Sequence, residues 1–229
     1  MAKSKFTFVS PSFLTVGTDT VRIKDIVAPI GVEPCSYDVQ ESEGAELQVW
    51  NGGGYDLYYY INDAFDDDND DLTGWANEQE ITDATIAPGS GFWYRCHKKA
   101  SNFTLSGEVS DAATITKDVY KNKFNMVGNP YPTLLDLKKV TTNIAPCSYD
   151  EQESKGVELQ VWNGGGYDLY YYINDAFDDD NDDLTGWANE QEILSTPATS
   201  DVTYGFWVRM HDKDNPTDKT KAGTITFSL

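Results

Sequence analysis

The sequence predicts an all-β protein of two tandem antiparallel β-sandwich domains, and three observations carry that expectation. Cys35–Ile81 recurs as Cys147–Ile193, 112 residues later, with only three differences: Val39/Glu151, Glu43/Lys155 and Ala45/Val157. That period is too long for a solenoid repeat, so each copy should be a small domain with its own core. Apolar residues alternate with period two between turn-forming clusters, the pattern of half-buried strands. Finally, no segment shows a 3.6-residue apolar stripe, and at most one helical turn fits around Trp75–Glu80.

The flanks of the duplicated block match more loosely. Phe13–Gly17 can be laid on Phe124–Gly128, which puts Asp25-Ile26 on Asp136-Leu137. Gly91-Phe-Trp-Tyr-Arg-Cys corresponds to Gly205-Phe-Trp-Val-Arg-Met, and alternating strands at 102–106 and Thr224–Ser228 close the two units. The expected domains are 6–107 and 118–229, joined by a short linker at 108–117 and lying end to end with limited freedom.

Thr20–Lys24 and Glu46–Trp50 alternate as strands. Asn51-Gly-Gly-Gly54 supplies residues that tolerate positive φ, hence a hairpin turn. The return strand from Tyr55 puts Tyr55, Leu57, Tyr59 and Ile61 on one face, and Asp56, Tyr58 and Tyr60 on the other. Short strands, many turns and little helix together give the sandwich reading.

Charge narrows the partners. With 17 Lys and Arg against 38 Asp and Glu, the net charge of -21 opposes binding to nucleic acid or to anionic membrane surfaces. It suits cations, basic partners or plain solubility. No stretch approaches the roughly 18 apolar residues of a membrane span, so no membrane insertion is expected. Met1–Val9 carries no apolar core of a secretory signal. That fits a virion component held in the cytoplasm before lysis, or an extracellular or cell-surface protein whose leader has been removed.

The three cysteines are an odd number. Cys35 and Cys147 are repeat equivalents, whereas Cys96 aligns with Met210. A Cys35–Cys96 bridge would therefore lack a counterpart, and all three read as small, partly buried thiols.

The strongest chemical candidate is the acidic run Asn62–Asp71, copied as Asn174–Asp183. Crowded aspartates repel one another unless a cation neutralises them, and Ca²⁺ takes 6–8 oxygen ligands from such loops. The candidate ligands are Asp66, Asp67, Asp68, Asn69, Asp70, Asp71 and Glu78, with Asp178, Asp179, Asp180, Asn181, Asp182, Asp183 and Glu190 in the second copy. An EF-hand register from Asp67 places Glu78 at the twelfth position. It also puts Leu72 where that loop needs glycine, so a looser β-loop calcium site is the better form of the idea. The alternative is a solvated turn.

Aromatic residues are the second candidate. Tyr58, Tyr60 and Trp75, with Tyr170, Tyr172 and Trp187, form the expected contact surface; Trp50, Trp93, Trp162 and Trp207 belong to the same aromatic set. Such rings could stack on sugars, pack between protein units or fill the core. One face of the Tyr strand should be core and the other a contact surface, or covered by a neighbouring unit. His97 and His211, one per unit, read as satisfied structural histidines at strand ends.

Catalytic signatures are missing from the sequence: no GxSxG, no HExxH and no P-loop lysine. A carboxylate pair of the glycosidase kind is formally available. Carboxylates in a solvated run nevertheless lack the apolar setting that raises a general acid's pKa.

Phe124-Asn-Met-Val-Gly-Asn-Pro-Tyr-Pro132, the tyrosine-rich strand, Thr73-Gly74-Trp75 and the late Gly-Phe-Trp resemble β-domain modules of large surface and secreted proteins of Bacteroidetes and related bacteria. The GNPYP element is present only in the second unit. The resemblance implies display or assembly and no chemistry. The expectation is thus a non-enzymatic structural or display protein of an extracellular assembly (a cell-surface layer, filament or virion surface), with Ca²⁺ as a stabilising ion. Its partners would be itself or other proteins of the assembly. The competing reading is a tandem carbohydrate-binding module or adhesin fragment that binds glycans.

Overall fold

The computed structural model describes residues 6–27, 31–66, 69–98, 105–162, 166–178, 181–189, 192–193 and 206–228. They are predominantly β. The first repeat contributes β1 (Thr7–Val9), β2 (Val21–Arg22), the four-residue α1 (Gln40–Glu43), β3 (Ala45–Trp50), β4 (Tyr55–Asp66), β5 (Asn69–Asn77), β6 (Glu80–Ile81), β7 (Thr85–Ile86) and β8 (Phe92–Cys96). The second contributes β9 (Thr114–Tyr120), β10 (Phe124–Val127), β11 (Thr141–Thr142), α2 (Gln152–Lys155), β12 (Val157–Trp162), β13 (Tyr167–Asp178), β14 (Asn181–Asn189), β15 (Glu192–Ile193), β16 (Phe206–Met210) and β17 (Lys221–Ser228).

Each repeat builds one six-stranded sheet of the same order, β1-β8-β3-β4-β5-β6 and β10-β16-β12-β13-β14-β15. A two-stranded sheet, β2-β7, accompanies the first, and a three-stranded sheet, β11-β17-β9, accompanies the second. The turn between β3 and β4 forms as expected: Asn51 Oδ1 accepts the N–H groups of Gly53 (3.0 Å) and Gly54 (2.9 Å), and Gly52 sits at φ 92°.

Register corrects the alignment of the flanks. Val9 pairs with Phe92, and Val127 pairs with Phe206, the repeat equivalent of Phe92. Phe6–Val9, and not Phe13–Gly17, is therefore the counterpart of Phe124–Val127. A side-chain contact explains the choice: the Arg95 guanidinium lies over the Phe6 ring at 4.2 Å, as that of Arg209 lies over Phe124 at 5.0 Å. Likewise the Trp75 indole N–H donates to the Ile26 carbonyl and that of Trp187 to Val140, so Ile26 answers to Val140.

The segment assigned to the linker is tied at both ends. Leu14 and Glu108 exchange backbone hydrogen bonds of 2.7 and 3.0 Å, the Tyr131 hydroxyl donates to the Ala112 carbonyl at 3.1 Å, and β9 begins at Thr114. The closing strand expected at 102–106 falls largely outside the described residues; β17 provides it in the second repeat.

Each large sheet has a main core on one face. In the first repeat it gathers Leu47, Tyr58, Trp75, Phe92 and Tyr94 with Ile23 and Ile86; in the second, Leu159, Tyr170, Trp187, Phe206 and Val208 with Leu137 and Phe227. On the other face a smaller cluster forms, where Tyr59, Ile61, Ala64 and Ala76 are covered by Cys35 and Tyr37 of the segment leading into α1. The second repeat does the same with Tyr171, Ile173 and Cys147. Cys35, Cys96 and Cys147 are unbridged.

Candidate functional site

The acidic run lies at the end of a long hairpin. β3 pairs with β4 only as far as Tyr59, while β5 follows β4 to the Asp66–Asn69 pair. The outer half of the hairpin thus overhangs β3 as an acid-tipped arm, and β13–β14 repeat it with Asp178 opposite Asn181. Asp66, Asn69, Asp70 and Asp71 are exposed, and Asp71 takes a left-handed φ of 62° at the bulge. Asp67, Asp68, Asp179, Asp180 and Glu190 lie outside the described residues; Asp182 and Asp183 lie on β14.

The chain after β5 turns back toward the acidic hairpin at Glu78, whose φ is 53°. The hairpin curls at two register shifts, and β6 folds back along β4: Phe65 pairs with Glu80, and the Phe65 N–H donates to the Gln79 carbonyl at 3.0 Å. Leu72 still stands where an EF-hand register from Asp67 needs glycine. Among the described residues no three His, Cys, Asp or Glu side chains converge as metal ligands. One carboxylate of the run has a different job: Asp63 accepts the Tyr37 N–H through both oxygens at 2.8 and 3.0 Å, and Asp175 holds Tyr149 in the same way. These two fasten the covering segment to the hairpin.

The expected aromatic contact surface is overturned. Trp75 is 1% exposed, and Tyr58, Tyr170 and Trp187 are likewise buried in the main cores, with Tyr60 and Tyr172 half-buried against them. Period-two alternation separates two faces without saying which is inward. Here one face of the Tyr strand is main core, and on the other the chain's own Cys35–Tyr37 segment covers Tyr59 and Ile61 while Tyr55 and Leu57 stay exposed.

The exposed-side aromatics instead join the repeats. Trp50 meets Trp207 edge-on, with centroids 5.6 Å apart and planes at 89°, and Trp93 meets Trp162 at 6.4 Å and 84°. Trp50 and Trp162 are equivalents, as are Trp93 and Trp207, so the contact is reciprocal, in the manner of a two-fold interface. Within each repeat the pattern continues: Trp93 donates its indole N–H to the Tyr55 hydroxyl at 3.2 Å, and Trp207 donates to Tyr167 at 3.2 Å. Phe8 and Met126, on the edge strands β1 and β10, complete the cluster.

The seam beside it is asymmetric. Ser10 and Ser12 of the first repeat donate to the Asn129 carbonyl at 2.6 and 3.1 Å, Gly128 N–H donates to the Gly89 carbonyl at 2.9 Å, and Lys117 donates to Ser90 Oγ at 2.8 Å. The Gly-Asn-Pro-Tyr element is therefore part of the joint between repeats.

A buried charged cluster sits on the outer face of each large sheet. Glu46, 1% exposed, accepts from Arg95 at 2.7 Å and from Gln48, and its Oε2 lies 2.6 Å from His97 Nε2. Glu158 is bound by His211 at 2.6 Å and by Gln160. Burial pushes the Glu46 carboxyl up, but the hydrogen bonds from Arg95, Gln48 and His97 outweigh it and hold the group below its ordinary value. Burial and then the Glu46 charge push the Tyr59 hydroxyl up to about 12. A carboxylate this enclosed stabilises its strand pairing and has no open face for a substrate. Both histidines are thus satisfied by a glutamate that the sequence did not single out.

No protein-family profile, curated protein or solved structure matches this chain.

Proposed function

We propose that the chain is a non-catalytic structural or display protein of an extracellular assembly, two β-sandwich units acting as one stiff body. The observation that carries this reading is the reciprocal Trp50–Trp207 and Trp93–Trp162 joint. A joint of interlocked rings with a hydrogen-bonded seam fixes the angle between the repeats, which serves a spacer or building block. The two acid-tipped arms then become its outward contacts, with Ca²⁺ as the ion that relieves their repulsion and links them to neighbours. With Tyr58 and Trp75 buried and Tyr60 half-buried against them, the structural reading is favoured over the glycan one.

Absolute mass by light scattering, measured in millimolar Ca²⁺ and again in EDTA, tests the proposal. A mass well above 25.6 kDa that falls in EDTA supports calcium-linked assembly. A monomer in both conditions, at every concentration tried, removes the assembly role.

A further inference from the structure

The joint between the repeats has properties that an ordinary contact between linked domains lacks. Its aromatic part is self-complementary, because Trp50, Tyr55 and Trp93 recur as Trp162, Tyr167 and Trp207 and each side presents the same rings to the other. Its seam, by contrast, discriminates. Register makes Gly128 the counterpart of Ser10. A Cβ at Gly128 would stand 2.4 Å from Ser10 Oγ and 2.5 Å from the Ser90 carbonyl oxygen. A first repeat placed where the second now sits would bring its own Ser10 side chain into that space. The first repeat therefore fits a second repeat better than it fits another first repeat.

The connection between the two is very short. Glu108 is bound to Leu14 of the first repeat and Ala112 to Tyr131 of the second, which leaves Val109–Asp111 as the hinge. Short hinges between complementary units favour exchange between chains, since opening only three residues frees both faces.

We propose that the Trp50/Trp93 face of the first repeat is a docking surface for the Trp162/Trp207 face of a second copy of this chain. Pairing is head to tail: the first repeat of one molecule takes the second repeat of the next, and the remaining faces at each end stay available. A heterologous contact of this kind closes into a ring or continues as a filament. The inference rests on the structural role proposed above and supplies its joint. Within one molecule the hinge gives the partner face an effective concentration of about millimolar, so dilute chains close on themselves. Exchange belongs to crowded conditions such as a growing layer.

The test uses two full-length variants that cannot close internally. One carries Trp162→Ala and Trp207→Ala and keeps only the first face; the other carries Trp50→Ala and Trp93→Ala and keeps only the second. All four rings lie outside the two main cores, so the sheets should persist, which far-UV circular dichroism checks. At about millimolar concentration each variant alone should remain at 25.6 kDa, and a mixture should form a 1:1 complex of twice that mass. A mixture that stays monomeric overturns the proposal, and so does either variant dimerising alone as readily as the mixture.

Should a double variant fail to fold, the unmodified chain carries the test. Two differently tagged preparations are unfolded and refolded together at the same concentration. Dimers bearing both tags are expected; monomers alone overturn the inference. Failure here, with large native masses still present in Ca²⁺, leaves the structural role standing and removes exchange as its joint. Heterodimers from the variants, with native protein that is always monomeric, would do the reverse.

Discussion

Trp50 of the first repeat stands edge-on to Trp207 of the second, with planes 89° apart, and Trp93 and Trp162 reproduce the contact from the opposite side. A duplicated sequence that folded as two independent beads would have no reason to oppose equivalent residues in this crossed fashion. Edge-to-face pairs each add about 0.5–1.5 kcal/mol beyond the area they bury. Two such pairs, with Phe8 and Met126 filling the space between, couple the stability of one repeat to that of the other.

Trp207→Ala tests this coupling most directly. Trp207 is buried in the joint and touches Trp50 and Phe124 while donating to Tyr167. Its loss should cost about 3 kcal/mol, at the lower end for large aromatic truncations because the cavity opens at a junction. Urea titration followed by tryptophan fluorescence should then resolve two transitions in place of one. An unchanged single transition would show that the joint does not couple the repeats.

The Glu46 cluster predicts how the fold fails in acid. The native carboxyl is held below its ordinary value, so folding favours the ionised form; the resulting stability is present above about pH 4.5 and is lost as pH falls through the lower native value. Glu158 acts in the same direction. Glu46→Gln should flatten the acid limb of a plot of urea midpoint against pH. Glu46→Ala, which leaves Arg95 and His97 without their buried acceptor, should cost about 3–5 kcal/mol at neutral pH. If Glu46→Gln leaves the acid limb as steep as before, the lowered carboxyl is not what drives acid unfolding.

Much of this architecture was legible in the alternation of β3 and β4 and in the Asn51–Gly54 turn, because both are local patterns. Trp75 was misread because alternation assigns it a face and cannot say that Ile26 caps its indole from 49 residues away. Glu46 was missed for a related reason. In sequence it is one more polar residue on an alternating strand, and only the Glu46–Arg95 register, set by β3 meeting β8, brings it under His97. The flanking repeats slipped because Phe-x-x-Val-Gly matches by letter at Phe13, whereas the sheet selects Phe6 through Arg95. Duplication showed that there were two units, while the crossed tryptophans that hold them together are a property of the tertiary structure alone.

Alkaline stability follows from Tyr59. Burial, then the negative Glu46, raises its hydroxyl from 10.0 to about 12, so the native state keeps a proton that the unfolded chain releases. Stability is therefore full below pH 10 and declines as pH rises from there to about 12. Absorbance at about 295 nm should show one group of tyrosines titrating late, together with the loss of β signal. Tyr59→Phe should make the alkaline decline shallower, and Tyr171, raised for the same two reasons, should sustain what remains. A Tyr59→Phe curve that superimposes on the parent would place the alkaline transition elsewhere.

The acidic run separates into two functions that substitutions can tell apart. Asp63 receives the Tyr37 N–H at 2.8 and 3.0 Å and so holds the cover over Tyr59, Ile61 and Ala64. Asp63→Ala strands a partly buried donor and should cost about 1–3 kcal/mol with or without metal. Asp70 is exposed on the arm among like charges. Asp70→Asn should leave the melting temperature unchanged or raise it slightly in EDTA, because it relieves repulsion. In millimolar Ca²⁺ the order should reverse. A ligand at 100 times its Kd adds about 2.7 kcal/mol to the folded state, and a chain missing part of the tip charge should gain less. Differential scanning calorimetry of the parent, Asp63→Ala and Asp70→Asn, each in Ca²⁺ and in EDTA, reads all of these shifts. Equal gains in the parent and Asp70→Asn would place any calcium effect away from the arm, and no gain in any of the three would leave the acidic tips as solvated surface.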